Sequence, residues 1–359
     1  MKIDGEQLQS IWYEPETDEI CIVDQTMLPH QIKILSLQSL EDACEAISSM
    51  RVRGAPLIGV TAAYGIYLAL RDDSKNLDSA VNALANTRPT AVNLRWVLQR
   101  TQEYLHGLDF NALPGKALEI AQLMEKEDIA VCEAIGEHGL GILQEYWREI
   151  GETKKRLNIL THCNAGALAT VDWGTALSVI YKAHEAGIPL HVWVDETRPR
   201  NQGASLTCWE LTQQQIPNTL IVDNAGGHLM QTGKVDVCIV GSDRTTLGGD
   251  VCNKIGTYLK ALAAHHNNIP FYAALPVSTI DFSIVDGMES IPIEERDGKE
   301  VSHISGVTAE GNIESVQIAP NNTAVSNYGF DVTPAKFVTG IITEKGVFEA
   351  NEASLRKLL

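Results

Sequence analysis

LNILTHCNAG (Leu157–Gly166), LHVWVDETRPRNQG (Leu190–Gly203), TLIVDNAGGH (Thr219–His228) and VDVCIVGSDR (Val235–Arg244) share one grammar. Each opens on a short apolar run and closes on a polar turn. The runs Leu157–Thr161, Leu190–Val194, Thr219–Val222 and Val235–Val240 read as buried strands. Helical stretches Ala167–Glu185, Ala204–Gln214, Gly227–Thr232 and Lys254–Ala264 alternate with them, and Pro270–Ala274 reads as a further strand. Such βαβα alternation implies an α/β, Rossmann-like, doubly wound parallel sheet covered by helices. Phe330–Pro334 reads as the turn before a last strand region, Val338–Ile342 with Val347.

Upstream the pattern is different. After a weakly alternating entrance, Asp18–Asp24, broken by Gln25–Pro29, the apolar residues recur at helical spacing. They do so over Leu37–Met50, Ile58–Leu70, Ala80–Asn86, Val92–Leu105, Lys116–Leu123 and Glu127–Glu149, with the turn RVRGAP (Arg51–Pro56) between the first two. The polar GETKK (Gly151–Lys155) marks a boundary. The expected organisation is a small, mainly helical N-terminal domain over residues 1–150 and the Rossmann-like domain over 151–359.

The 359 residues carry 28 Lys+Arg against 46 Asp+Glu, a formal charge of −18. That balance argues against non-specific nucleic-acid binding, while leaving room for an anionic ligand at a local cationic site. Neither a signal peptide nor a membrane span is expected, since no apolar run approaches the length either needs. Seven scattered cysteines show no CxxC pair, and the histidines form no zinc pattern, so neither disulfide scaffold nor metal site is expected. The expectation is a cytoplasmic protein.

Ligands of an open α/β sheet bind beyond the carboxyl ends of its strands. There stand His162-Cys163-Asn164, Asp195–Gly203, Asp223–His228 and Gly241-Ser242-Asp243-Arg244. Cys163 leaves a strand shortly before a helix, whose N-terminus would depress the thiol pKa. Cys208 and Cys252 read as structural, within or beside helices. Asp243 reads either as a turn buttress paired to Arg244 or as a carboxyl raised for acid–base work. Asp223 and Glu196 occupy analogous places. Arg53-Gly54-Ala55 before a helix, Arg88-Pro89-Thr90 at another helix start, and Gly248–Asp250 before Asn253-Lys254 each offer donors to an anion. Dinucleotide and P-loop readings lose support, because neither GxGxxG nor GxxxxGK[ST] is present.

VDQTMLP (Val23–Pro29), RVRGAPLIG (Arg51–Gly59), TRPTAVNL (Thr87–Leu94), THCNAGALAT (Thr161–Thr170) and DETRPRNQGA (Asp195–Ala204) together resemble the methylthioribose-1-phosphate isomerase family. DNAGGH (Asp223–His228), VGSDR (Val240–Arg244), NKIGTY (Asn253–Tyr258) and FDVTPAKFVTGIITEKG (Phe330–Gly346) extend the resemblance across nearly the whole chain. It implies conversion of 5-methylthioribose 1-phosphate to 5-methylthioribulose 1-phosphate in methionine salvage, by a homodimer without metal or organic cofactor, and leaves room for 5-deoxyribose 1-phosphate. By the same resemblance Cys163 is the catalytic cysteine and Asp243 the catalytic acid. Substrate contacts fall on Arg53, Gly54, Ala55, Arg88, Gln202, Asn253 and Lys254, with Arg88 preferred to Arg95. Two relatives supply alternatives: a ribose-1,5-bisphosphate isomerase, and a non-catalytic regulatory subunit that senses sugar phosphates.

Overall fold

In a computed structural model, residues 1–3, 5–88 and 92–359 are described. The first half begins with an antiparallel three-stranded sheet, β1 (Ile11–Glu14), β2 (Glu19–Val23) and β3 (Ile34–Leu37). Ile11, Ile20 and Ile22 turn fully inward on this sheet. Five helices follow: α1 (Leu40–Ser48), α2 (Ala55–Asp72), α3 (Leu77–Ala85), α4 (Val92–Leu105) and α5 (Leu113–Ile150). Ser39 and Asp42 close a reciprocal capping box on α1. Helix α2 is apolar almost all round and buried from Leu57 to Leu70, so it forms the axis of this half.

The expected separate helices Lys116–Leu123 and Glu127–Glu149 are one. The charged Glu125-Lys126 step does not break α5, because both residues are good helix formers and no proline or glycine stands there. The mainly helical expectation also missed β1 and β3, runs of four residues that carry little periodicity on their own.

The second half is the expected parallel sheet. Its strands are β4 (Leu157–Thr161), β5 (Leu190–Asp195), β6 (Asn218–Ile221), β7 (Val237–Val240), β10 (Phe271–Ala274), β15 (Gly340–Thr343) and β16 (Gly346–Phe348). They lie in the order β16-β15-β10-β7-β4-β5-β6, parallel except for β16. From β4 the chain builds outward to β5 and β6, then returns to place β7 on the other side of β4. The switch point therefore lies between β4 and β7, where Thr161 Oγ donates to Ile239 O at 2.8 Å. Helices α6 (Ala176–Glu185), α7 (Cys208–Gln213), α8 (Ala225–Gln231) and α9 (Thr257–His266) cover the faces.

Three expectations fail here. The helix expected over Ala167–Glu185 starts only at Ala176. Trp173 (φ 67°) and Gly174 (φ 80°) adopt left-handed conformations, and Gly174 packs against Gly166, leaving a loop over 170–175. The expected turn Phe330–Pro334 is strand β14 (Phe330–Thr333), whose proline only ends it. It pairs with β9 (Val251–Lys254), in a second sheet ordered β11 (Ile280–Asp281), β8 (Arg244–Thr246), β9, β14. Lys254 thus belongs to a strand rather than to the start of α9, and Asn253 and Cys252 are strand residues too. Finally, β12 (His303–Val307) and β13 (Ile313–Gln317) form an exposed hairpin that periodicity did not single out.

Candidate active site

One cavity lies at the switch point, against the N-terminus of α2. It brings together Arg53, Gly54, Ala55, Arg88, Cys163, Gln202, Asp243, Asn253 and Lys254, all nine residues singled out in the sequence. Cys163 stands two residues past the end of β4 and Asp243 three past the end of β7, so adjacent strands deliver them to the same sheet edge. Arg88 lines the cavity, whereas Arg95 is exposed on α4. Pro89 and Thr90 of the expected RPT turn lie outside the described residues.

Cys163 is 7 % exposed and left-handed, φ 65°. Its N–H donates to Thr197 Oγ1 (2.8 Å), its carbonyl accepts from Thr207 Oγ1 (2.7 Å), and its thiol donates to Gln202 Oε1 (3.5 Å). The α-helix expected to follow it begins only at Ala176, and the intervening single 3-10 turn at Ala167–Ala169 is too short to supply the expected depression of the thiol. Burial instead pushes the thiol up, with Arg53 and Lys254 opposing. Gln202, expected to meet substrate hydroxyls, spends its carbonyl oxygen on this sulfur.

Asp243 donates its N–H to Cys252 O, while Arg244 turns away to Asp281 (3.9 Å), so the Asp243–Arg244 pair does not form. Burial raises the Asp243 carboxyl against the pull of Lys254, Arg53 and Arg88. Burial lowers Lys254, whose Nζ donates to Gly329 O (3.1 Å) and lies 4.5 Å from the centre of the Phe330 ring. All three shifts favour neutral forms. A phosphate dianion placed among these groups would keep Asp243 protonated and return the proton to Lys254.

Arg53 donates Nη1 to Asn164 Oδ1 and Nη2 to Asn164 O, both at 2.6 Å. Two of five guanidinium donors are so used. Helix α2 begins at Ala55 after Gly54 (φ 98°), with Pro56 in its first turn, so its leading N–H groups lack intrahelical partners at the cavity wall. Arg88 Nη2 reaches Glu294 Oε2 at 3.3 Å, and its buried Nε has no partner among the described residues.

Sequence reasoning missed Glu210. It is 1 % exposed and accepts from Asn164 Nδ2, Ala167 N, Leu168 N and Tyr181 Oη. It thereby shapes the loop after Cys163 and, through Asn164, aims Arg53. The only signal was a lone carboxylate in an apolar helical stretch. Cys252, read as structural, lines the cavity. Asp223 accepts from Thr197 N (2.7 Å) and Arg198 N (2.8 Å), holding the loop that carries Gln202. His162, Asp195 and Asp223 cluster with metal-like spacing. There, however, Lys260 Nζ stands 3.2 Å from Asp195 Oδ2 and donates to Asp223 O, supplying the positive charge itself.

Residues 51–350 match the initiation factor 2 subunit family. The chain is 56 % identical to a methylthioribose-1-phosphate isomerase of Methylobacterium nodulans, covering 100 % of this chain and 98 % of that protein. This chain belongs to the methylthioribose-1-phosphate isomerase family. A protein of that name from Escherichia coli is 55 % identical, covering 99 % of this chain and 95 % of its own length. Among crystal structures, 5-methylthioribose 1-phosphate isomerase from Pyrococcus horikoshii superposes with a TM-score of 0.84 at 38 % identity, over 98 % of this chain and 96 % of that one. A chain from A. fulgidus described as translation initiation factor eIF-2B, subunit delta, superposes at 0.81 with 39 % identity, over 98 % and 99 %. The family thus spans names for an isomerase and for an initiation factor. The isomerase fold is the α/β arrangement described above. No described helix is long and apolar enough to cross a membrane.

Proposed function

We propose that this chain converts 5-methylthioribose 1-phosphate to 5-methylthioribulose 1-phosphate, an aldose–ketose isomerisation of methionine salvage, with Cys163 and Asp243 as its catalytic residues. The observation that carries this reading is a buried thiol and a raised carboxyl on adjacent strand ends, beside the cations Arg53, Arg88 and Lys254 and a helix N-terminus. Arg53, Arg88, Lys254 and the leading N–H groups at Gly54 and Ala55 hold the phosphate, and Asn253 orients a hydroxyl. Met50, Ile58, Ile291, Pro292 and Phe330 line the same cavity and suit an apolar methylthio end better than a second phosphate. The same walls accept the shorter end of 5-deoxyribose 1-phosphate with modest discrimination.

The anomeric phosphate locks the sugar ring, so the ring must open first. Asp243, protonated, gives its proton to the ring oxygen as the C1–O bond breaks, leaving a cationic C1 that still bears the phosphate. The sulfur of Cys163, its S–H turned to Gln202, offers lone pairs to that centre. Asp243, now a carboxylate, takes the proton of the C2 hydroxyl. Hydrogen leaves C2 with its bonding electrons and joins C1. C2 becomes the ketone, C1 becomes CH2 bearing phosphate, and Asp243 regains its proton. A thiol pushed up by burial favours this path over a thiolate that carries the C2 proton through an enediol.

The chain acts in this reading as a cytoplasmic homodimer. Its seven cysteines are all free, and Val316 on the hairpin β12–β13 and Ile318 just after it stand exposed, outside the lining of any cavity described, for a second copy to cover. Sedimentation equilibrium is expected to return twice the chain mass.

Phosphorus NMR tests the activity, with 5-methylthioribose 1-phosphate in one tube and ribose 1,5-bisphosphate in another. Loss of the anomeric signal and growth of a primary phosphomonoester in the first tube alone is the expected result. Turnover in the second tube alone would move the substrate. Binding without turnover in either would favour the regulatory subunit. Deuterium at C2 is expected to stay in the product, and complete washout into water would replace the hydride path by the enediol relay.

A further inference from the structure

We infer that sugar phosphates reach the site through a cationic antechamber between the Gln25–His30 loop, the Pro199–Leu206 segment and the β12–β13 hairpin. The inference rests on the isomerase reading, since it supplies the anionic ligand. Two chambers adjoin the catalytic cavity. One, of about 570 Å³, shares Met50, Arg53 and Gln202 with it. The other, of about 500 Å³, shares Pro56 and Pro276.

Their charges are opposite. The first is lined by the cations Arg53, Arg200 and Lys299, together with the imidazoles of His30 and His303, and has Glu300 as its one carboxylate among the described lining residues. Arg200 and Arg296 both pair with Glu300, so Arg200 and Glu300 offset each other within the lining and Arg53 and Lys299 carry its net positive charge. In the second, Glu127, Asp128, Asp281 and Glu344 face a single Arg100, which is itself paired to Glu127.

A chain of charge −18 repels a phosphate dianion at long range, so a local cationic path must offset that field for binding to be fast. The acidic chamber behind Pro56 and Pro276 adds to the repulsion. The antechamber reverses it, and Arg53 continues the positive path through the shared wall to the phosphate-holding end of the cavity. Lys299 matters most for approach, because it lies outside the catalytic cavity and, unlike Arg200, forms no ion pair with a carboxylate among the described residues, while His303 stands beside it on the hairpin.

The test compares Lys299→Glu and Lys299→Glu/His303→Glu with Lys126→Glu, an exposed lysine on α5. Initial rates with 5-methylthioribose 1-phosphate are measured from about 10 mM to 300 mM salt. The single antechamber variant is expected to lose about tenfold in kcat/KM at low salt, and the double variant more. Both are expected to lose most of the parent's salt dependence, while Lys126→Glu keeps the parent's values. Neutral Lys299→Gln is expected to fall between, which separates charge from local damage. Antechamber variants with the parent's kcat/KM and salt slope would overturn the route while leaving the isomerase reading intact. A parent chain that turns over no substrate would overturn both.

Discussion

Cys163 holds a left-handed backbone, φ 65°, that costs a non-glycine residue about 1–3 kcal/mol. The threonine clamps at positions 197 and 207 hold it there, which fixes where the sulfur points. Cys163→Ser keeps the clamps but replaces a large polarisable atom with a small one. Its kcat is expected to fall about a hundredfold with KM within about threefold. Equal losses in substrate binding and turnover would make the sulfur a binding contact instead. Asp243→Asn removes the proposed acid, and kcat is expected to fall by about 10³ or more with the circular dichroism of the parent. The stability of that variant has a definite sign. Burial raises the folded carboxyl above its usual 3.8, so its stabilising contribution is complete below that value and lost as pH rises through the folded pKa. Asp243→Asn is therefore expected to melt above the parent at pH 8, with the gain gone near pH 3. With Asp243 as the proposed acid, loss of the same proton is expected to make kcat/KM of the parent fall on the alkaline side, which a pH–rate profile checks. Cys163 and Asp243 were legible because each stands within three residues of the end of a strand of regular pattern. Glu210 and Glu294 were not, since their partners lie 46 and 206 residues away in sequence.

At the scale of elements, the site depends on how closely α2 approaches the loop after Cys163. A Cβ on Gly54 would stand 2.3 Å from Ala169 O, and the residue's φ of 98° is itself a glycine conformation. Gly54→Ala is expected to cost about 2–4 kcal/mol of stability and to raise KM for the phosphate more than tenfold, because the helix N-terminus must back away. Unchanged thermal unfolding and KM would show that the approach is not needed. Glu210 acts from α7 on the same loop, and Glu210→Ala leaves four buried donors unmet, an expected loss of about 3 kcal/mol or more by urea unfolding. The strands of the parallel sheet were legible as β-branched runs bounded by polar turns. The second sheet was not. Its strands are two to four residues long, and Val251–Lys254 gains its conformation by pairing with Phe330–Thr333, far along the chain. The helix expected over Ala167–Glu185 failed for a local reason, the left-handed pair Trp173-Gly174, which helical periodicity cannot register.

Across the whole molecule, α5 runs 38 residues, roughly 57 Å, and belongs to both halves. Its first turns give Leu113, Ala117, Ile120, Ala121 and Met124 to the core around α2. Its later turns give Ile135 and Leu143 to the core under the parallel sheet. The approach to α6 is close enough to require glycine: a Cβ on Gly136 would stand 2.2 Å from Ser178 Oγ, and one on Gly139 2.3 Å from Val179 Cγ2. The division near residue 150 follows the change in sequence pattern, but a helix packed into two cores transmits strain from one to the other. We therefore expect calorimetry to give one cooperative transition. Gly139→Val should lower it as a unit by the equivalent of about 2 kcal/mol or more. The catalytic cavity lies where the two halves meet, with α2 and Arg88 on one side and the sheet edge on the other, so activity should be lost over the same temperature range. Two transitions, with only the sheet-bearing half shifted by Gly139→Val, would instead make residues 1–150 and 151–359 independent folding units.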